Sequence, residues 1–83
     1  MKEKTIGNIK DRIDIELELE NIGNFIVEIK KNTVTLKTTD LLFKSDLRKL
    51  EKYFNKFDYT FNFLYVNNNY LILSYKYKNG DKI

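Results

Sequence analysis

At 83 residues the chain is long enough for one domain and too short for two. An apolar share of 42% and a charged share of 33% are those of a globular protein rather than a disordered one, and a net charge of +3 leaves a mild basic excess. Cysteine and histidine are absent, which excludes disulfides and thiolate–zinc sites and removes the commonest general base, thiol nucleophile and imidazole ligand.

Tryptophan, proline, alanine and glutamine are missing as well, while Lys, Asn, Ile, Tyr and Phe abound. This is the usage of AT-rich coding, expected of a low-GC bacterium, its phage or a plasmid. Residues 1–10 carry three lysines and no apolar run. They are expected to form a flexible N-terminal segment rather than a signal peptide. No stretch reaches the ~20 apolar residues of a membrane span, so a cytoplasmic location without membrane partners is expected.

Residues 12–20 alternate strictly. Ile13, Ile15, Leu17 and Leu19 fall on one side and Asp14, Glu16, Glu18 and Glu20 on the other, the period of a half-buried strand. A second strand is expected from Asn24 to Lys30 with Phe25, Val27 and Ile29 inward, and a third from Thr33 to Thr38 with Val34 and Leu36 inward. A two-residue turn at Lys31-Asn32 pairs Ile29 with Val34 and Val27 with Leu36. A three-residue loop, Asn21-Ile22-Gly23, with Gly23 left-handed, pairs Leu19 with Phe25 and sets Glu16 opposite Glu28.

A helix follows, with Ser45 as N-cap and Asp46 in its first turn; a start as early as Asp40 is the alternative. Leu47, Leu50, Phe54 and Phe57 make one apolar stripe with Tyr53 beside it, and Lys49, Lys52 and Lys56 lie off it. The last third reads as a hairpin, Tyr59–Val66 and Tyr70–Lys78 around Asn67-Asn68-Asn69. A three-residue loop there pairs Tyr65 with Leu71, Phe63 with Leu73, Phe61 with Tyr75 and Tyr59 with Tyr77. The expected fold is α+β over residues 1–83: a single antiparallel sheet, in chain order βββ-α-ββ, with one helix on one face.

Three constellations are candidates for function. The acids Asp14, Glu16, Glu18, Glu20 and Glu28 form a stripe suited to a basic partner, since segment 13–29 has five acids and no base. A solvated strand face that guards an edge is the plainer reading. Alternate strand carboxylates sit ~6.5–7 Å apart, a spacing open to a hard cation. No glycine-turned ligand loop accompanies them, so neither metal nor cofactor is expected.

The second constellation interleaves Tyr75-Lys76-Tyr77-Lys78 and adds Lys49, Lys52 and Lys56, aromatics for bases and lysines for phosphates. Against it, a strand points these rings and charges to opposite faces. The third is an apolar patch of Leu64, Val66, Tyr70 and Ile72, expected as pairs Val66–Tyr70 and Leu64–Ile72 and extended by Ile26. It is either a protein interface or the seat of Ile6, Ile9 and the N-terminal segment.

The hairpin leading into Phe43-Lys44-Ser45-Asp46-Leu47-Arg48-Lys49-Leu50, the helix end near Phe57, and Asn69-Tyr70-Leu71-Ile72-Leu73 before Asn79-Gly80 share a rhythm over residues 25–80. It loosely resembles WapI-like bacterial immunity proteins and the compact anti-CRISPR-type inhibitors that phages deploy against bacterial defences. That resemblance implies a non-enzymatic inhibitor that disables a bacterial effector or nuclease complex by occluding its surface. A small nucleic-acid-binding protein is the alternative, and a homodimer joined through an edge strand or the Leu64/Ile72 patch is a third expectation.

Overall fold

The computed structural model describes residues 12–78. The expectations for residues 1–10 lie outside the described residues. The class is α+β with one antiparallel sheet, but the chain order begins differently. Helix α1 (Arg12–Glu18) precedes β1 (Ile26–Lys30), β2 (Thr33–Thr38), helix α2 (Lys44–Asn55), β3 (Tyr59–Asn67) and β4 (Tyr70–Tyr77). The strand order across the sheet is β1-β2-β4-β3, so β1 and β3 are the two edges.

The expected first strand is therefore a helix. In a strand Ile15, Leu17 and Leu19 would share a face; here Ile15 and Leu19 are buried while Leu17 is 61% exposed. Ile15 and Leu19 are also an i, i+4 pair, and half-buried Ile22 continues their stripe at i+7. A period-2 pattern contains this helical stripe, and Glu and Leu are strong helix formers. Seven residues are too few to hold a helix in water, so packing against the sheet decides the matter. The pairings Leu19–Phe25 and Glu16–Glu28 do not form.

Gly23 is not left-handed. Its lack of a Cβ gives room to Asp40, whose Oδ2 would stand 3.3 Å from one. That same oxygen accepts the Asn24 backbone N–H at 2.7 Å, tying the end of the α1–β1 connection to the loop before α2.

The β1–β2 hairpin has the expected register, Ile29 opposite Val34 and Val27 opposite Leu36 around Lys31-Asn32. Helix α2 is capped at Phe43 rather than Ser45, because the Asp46 carboxylate reaches back to accept the Phe43 N–H at 2.9 Å. Leu50 and Phe54 are buried along the expected stripe, with Leu47, Tyr53 and Phe57 packed beside them. The Phe54 ring stacks on Tyr75 with centroids 4.2 Å apart. Each such fully buried side chain stabilises by about 1.5–3 kcal/mol. After α2, Asp58 takes φ 65° and turns the chain into β3.

In the last hairpin the turn is one residue shorter than expected. Asn68 and Asn69 both have positive φ, 50° and 70°, and Asn67 pairs with Tyr70. Two successive left-handed residues make a type I′ turn, whose twist suits a two-residue hairpin and which asparagine tolerates. The pairs become Val66–Leu71, Tyr65–Ile72, Leu64–Leu73 and Phe63–Ser74. A β-bulge at Asn62 then restores the expected Phe61–Tyr75 and Tyr59–Tyr77 pairs. The core lies on one face of the sheet, formed by Ile15 and Leu19 of α1, Leu50 and Phe54 of α2, and Val27, Val34, Leu36, Tyr59, Leu73 and Tyr75. Both helices cover that face; neither covers the other.

Candidate binding surfaces

Helix formation disperses the acidic stripe. Asp14 and Glu18 share one side of α1, and Glu18 Oε1 accepts the Tyr53 hydroxyl at 2.7 Å. Burial first, then the bond to Glu18 and the charges of Glu18 and Asp14, push the Tyr53 hydroxyl pKa well above its ordinary value. Glu16 turns instead toward β1, where its Oε2 accepts the Val27 backbone N–H at 3.1 Å. Glu20 lies exposed beyond the helix end, and Glu28 points to the open face of the sheet. These five carboxylates do not make one surface. Among the described residues no three His, Cys, Asp or Glu side chains gather in a metal-holding group, and no helix is long and apolar enough to cross a membrane.

The basic residues divide as well. Lys49, Lys52 and Lys56 line a groove of about 500 Å³ between α2 and the end of α1, with Glu18, Leu19 and Tyr53. Lys76 sits on the opposite face of the molecule, opposite Thr33 and Thr60, and Lys78 is exposed just past β4. The apolar patch is split by the two-residue turn and the bulge. Leu64 and Val66 face the helix side, whereas Tyr70 and Ile72 face the open side.

The same bulge creates a surface that alternation alone did not predict. The open face carries three rows across four strands: Ile26–Lys37–Ile72–Tyr65, Glu28–Thr35–Ser74–Phe63, and Lys30–Thr33–Lys76–Thr60. Phe63 is 43% and Tyr65 48% exposed, with ring centroids 5.6 Å apart. The Lys37 ammonium lies 5.9 Å from the centre of the Tyr70 ring. The Asn62 side-chain amide donates to the Ser74 hydroxyl at 3.3 Å, so the bulged residue of β3 is tied to the neighbouring strand β4. The face is thus two adjacent aromatic rings among lysine, threonine and serine, with Ile26, Ile72 and Tyr70 at one end and Glu28 the one acid in its three rows.

The second surface is the free edge of β3. Tyr59–Asn67 holds no charged residue, and apolar side chains are exposed on both of its faces: Phe61, Leu64 and Val66 on one, Phe63 and Tyr65 on the other. On the helix side a groove of about 280 Å³ runs between α2 and β3, floored by Phe61, Leu64, Leu73 and Tyr75. Its rim holds Lys44, Arg48 and Glu51.

No protein family matches the chain, and no curated protein or solved structure matches it either.

Proposed function

We propose that this protein is a small non-enzymatic binding domain of the cytoplasm whose open sheet face takes single-stranded nucleic acid. The observation that carries the reading is the side-by-side placement of half-exposed Phe63 and Tyr65 on a face that also bears Lys30 and Lys37. Aromatic rings on a sheet stack bases without regard to sequence, each worth about 1–3 kcal/mol, while lysines meet the backbone. The ring-and-lysine segment of β4 divides as a strand must, with Tyr75 and Tyr77 on the helix side and Lys76 on the open face. Phe63 and Tyr65, turned outward by the bulge, share the open face with the lysines instead, and α1 with its acids packs on the other side of the sheet.

The test is fluorescence anisotropy with a single-stranded pyrimidine oligonucleotide at ~50 mM salt. With about three lysines engaged, the salt slope for a single strand is roughly −2, so affinity falls on the order of 20-fold by 200 mM. Phe63→Ala and Tyr65→Ala should each weaken binding by about 5- to 150-fold. Absence of binding at low salt, or indifference to both substitutions, would overturn the reading. A protein partner is the second reading, the effector-occluding role implied by the resemblance, and the feature favouring it is β3 rather than the α1 carboxylates. Under it Val66→Lys abolishes capture of the partner, whereas charge reversal at Glu20 and Glu28 does not.

A further inference from the structure

The two edges of the sheet are treated differently by the fold. On β1 the Glu16 carboxylate accepts the Val27 N–H, and Glu28 and Lys30 place charges along the strand. Helix, carboxylate and charge are devices by which edges are kept from pairing, as is a bulge. Among the described residues β3 has no helix, carboxylate or charge along its margin, and beyond the single bulge at Asn62 the run Phe63–Asn67 is regular. Nine residues without a charge or a proline run along the margin, and every one after Tyr59 is exposed.

From this asymmetry we infer that β3 pairs antiparallel with β3 of a second copy, joining two four-stranded sheets into one of eight strands. The occupant is argued from the chemistry of the strand. A charge-free edge meets no like-charge repulsion when it pairs with itself, whereas a partner bearing charges would find none to match on the strand. A two-fold axis perpendicular to the sheet keeps faces matched, so Leu64 and Val66 meet Leu64 and Val66 of the copy, and Phe63 and Tyr65 meet their equivalents. The groove rim beside β3 carries both signs, Lys44 and Arg48 against Glu51, which suits an isologous contact better than a partner of one sign. The half-exposed side chains of β3 leave on the order of 400–500 Å² of mostly apolar surface per copy. That is about half the ~800 Å² per partner of a standard interface, the size of a weak, dissociable contact.

Such pairing aligns the two open faces on one side and all four helices on the other. The Phe63–Tyr65 surfaces then lie next to one another across the axis. The dimer itself rests on the edge alone and does not need nucleic acid.

Sedimentation velocity on the intact chain from about 1 to 500 μM should show a monomer passing to a dimer with a midpoint inside that range. Val66→Lys, at a side chain 69% exposed in the single copy, should shift that midpoint upward at least tenfold with the circular dichroism spectrum unchanged. The chain contains no cysteine, so single substitutions report position cleanly. Tyr65→Cys should form a disulfide-linked dimer under mild oxidation, and Glu28→Cys on the other edge should not. A monomer at every concentration overturns the inference and leaves β3 to a strand of another protein. A dimer insensitive to Val66→Lys, or cross-linked through Glu28→Cys instead, overturns it too. Oligonucleotide binding with Val66→Lys separates the two proposals, because Val66 lies on the helix side, away from the face that would hold the strand.

Discussion

The Glu16 carboxylate lies 3.1 Å from the Val27 backbone nitrogen, so a side chain of the first helix closes the outer edge of the first strand. Val27 sits on an edge strand paired only with β2, and its N–H looks away from the sheet to the helix. The contact therefore fixes α1 against β1 and removes a donor from the free edge. Glu16→Ala should lower stability by about 1 kcal/mol, the ordinary net worth of a part-buried hydrogen bond, and Glu16→Gln should recover part of it. Urea unfolding checks this through a lower midpoint at constant slope. An unchanged midpoint would mean that α1 is held without this bond, by the packing of Ile15 and Leu19 and the Glu18–Tyr53 contact.

Tyr59 carries a cost that the fold tolerates. Its side chain is buried, and among the described residues its hydroxyl finds no hydrogen-bond partner. An orphaned buried hydroxyl costs about 1–3 kcal/mol of desolvation. Tyr59→Phe should therefore stabilise the protein by about 1 kcal/mol, a rise of roughly 4–8 °C in Tm for a domain of this size. Calorimetry reads it directly. A fall in Tm would show that the hydroxyl is satisfied by a water or another group.

Buried tyrosines also set the alkaline limit. Burial pushes Tyr59 up to about 12, with Tyr77 adding to it, and burial with the Glu51 charge pushes Tyr75 up to about 12. In the unfolded chain both ionise near 10. Above pH 10 the unfolded state has given up protons that the folded state still holds, so stability falls as pH rises. The loss is about 1.4 kcal/mol per pH unit for each tyrosine, levelling off above pH 12; below pH 10 the two contribute no slope. Spectrophotometric titration should show three tyrosines, Tyr53, Tyr59 and Tyr75, ionising late, together with unfolding. If all the tyrosines titrate as one group near pH 10 while the protein stays folded, the burial account is wrong.

Much of this architecture was legible in the sequence, and the failures have physical causes. Val27, Ile29, Val34 and Leu36 gave the β1–β2 register because alternation and a two-residue turn agree there. Leu47, Leu50, Phe54 and Phe57 gave the face of α2 because the steps of three from Leu47 to Leu50 and from Phe54 to Phe57 do not fit a strand. Residues 12–18 misled because alternation and the Ile15–Leu19–Ile22 stripe coexist, and only packing chooses between them. The candidate surfaces were harder to see. Phe63 and Tyr65 reach the open face through one extra residue, Asn62, and no alternation pattern announces a bulge. The clue was the conflict between a two-residue asparagine turn, which pairs Asn67 with Tyr70, and an inner face that needs Phe61 opposite Tyr75.

That conflict yields the last prediction. Asn69 holds φ 70° at the second position of the turn, a backbone region in which glycine carries no side-chain penalty. Asn69→Gly should therefore stabilise the hairpin by a few tenths of a kcal/mol up to about 1 kcal/mol, without moving the register. Deleting Asn62 removes the extra residue while the turn still imposes Asn67 opposite Tyr70, so Phe63 stays opposite Ser74 and Phe61 opposite Tyr75, each on its present face. The deletion should therefore be tolerated, at a cost of about 1 kcal/mol for the lost Asn62–Ser74 hydrogen bond. Hydrogen exchange checks both variants. Asn69→Gly should raise protection in β3 and β4, and the Asn62 deletion should keep the β3–β4 pairing protected. If the deletion instead strips protection from β3 and β4 while β1 and β2 keep theirs, Asn62 does more than space Phe61 from Phe63.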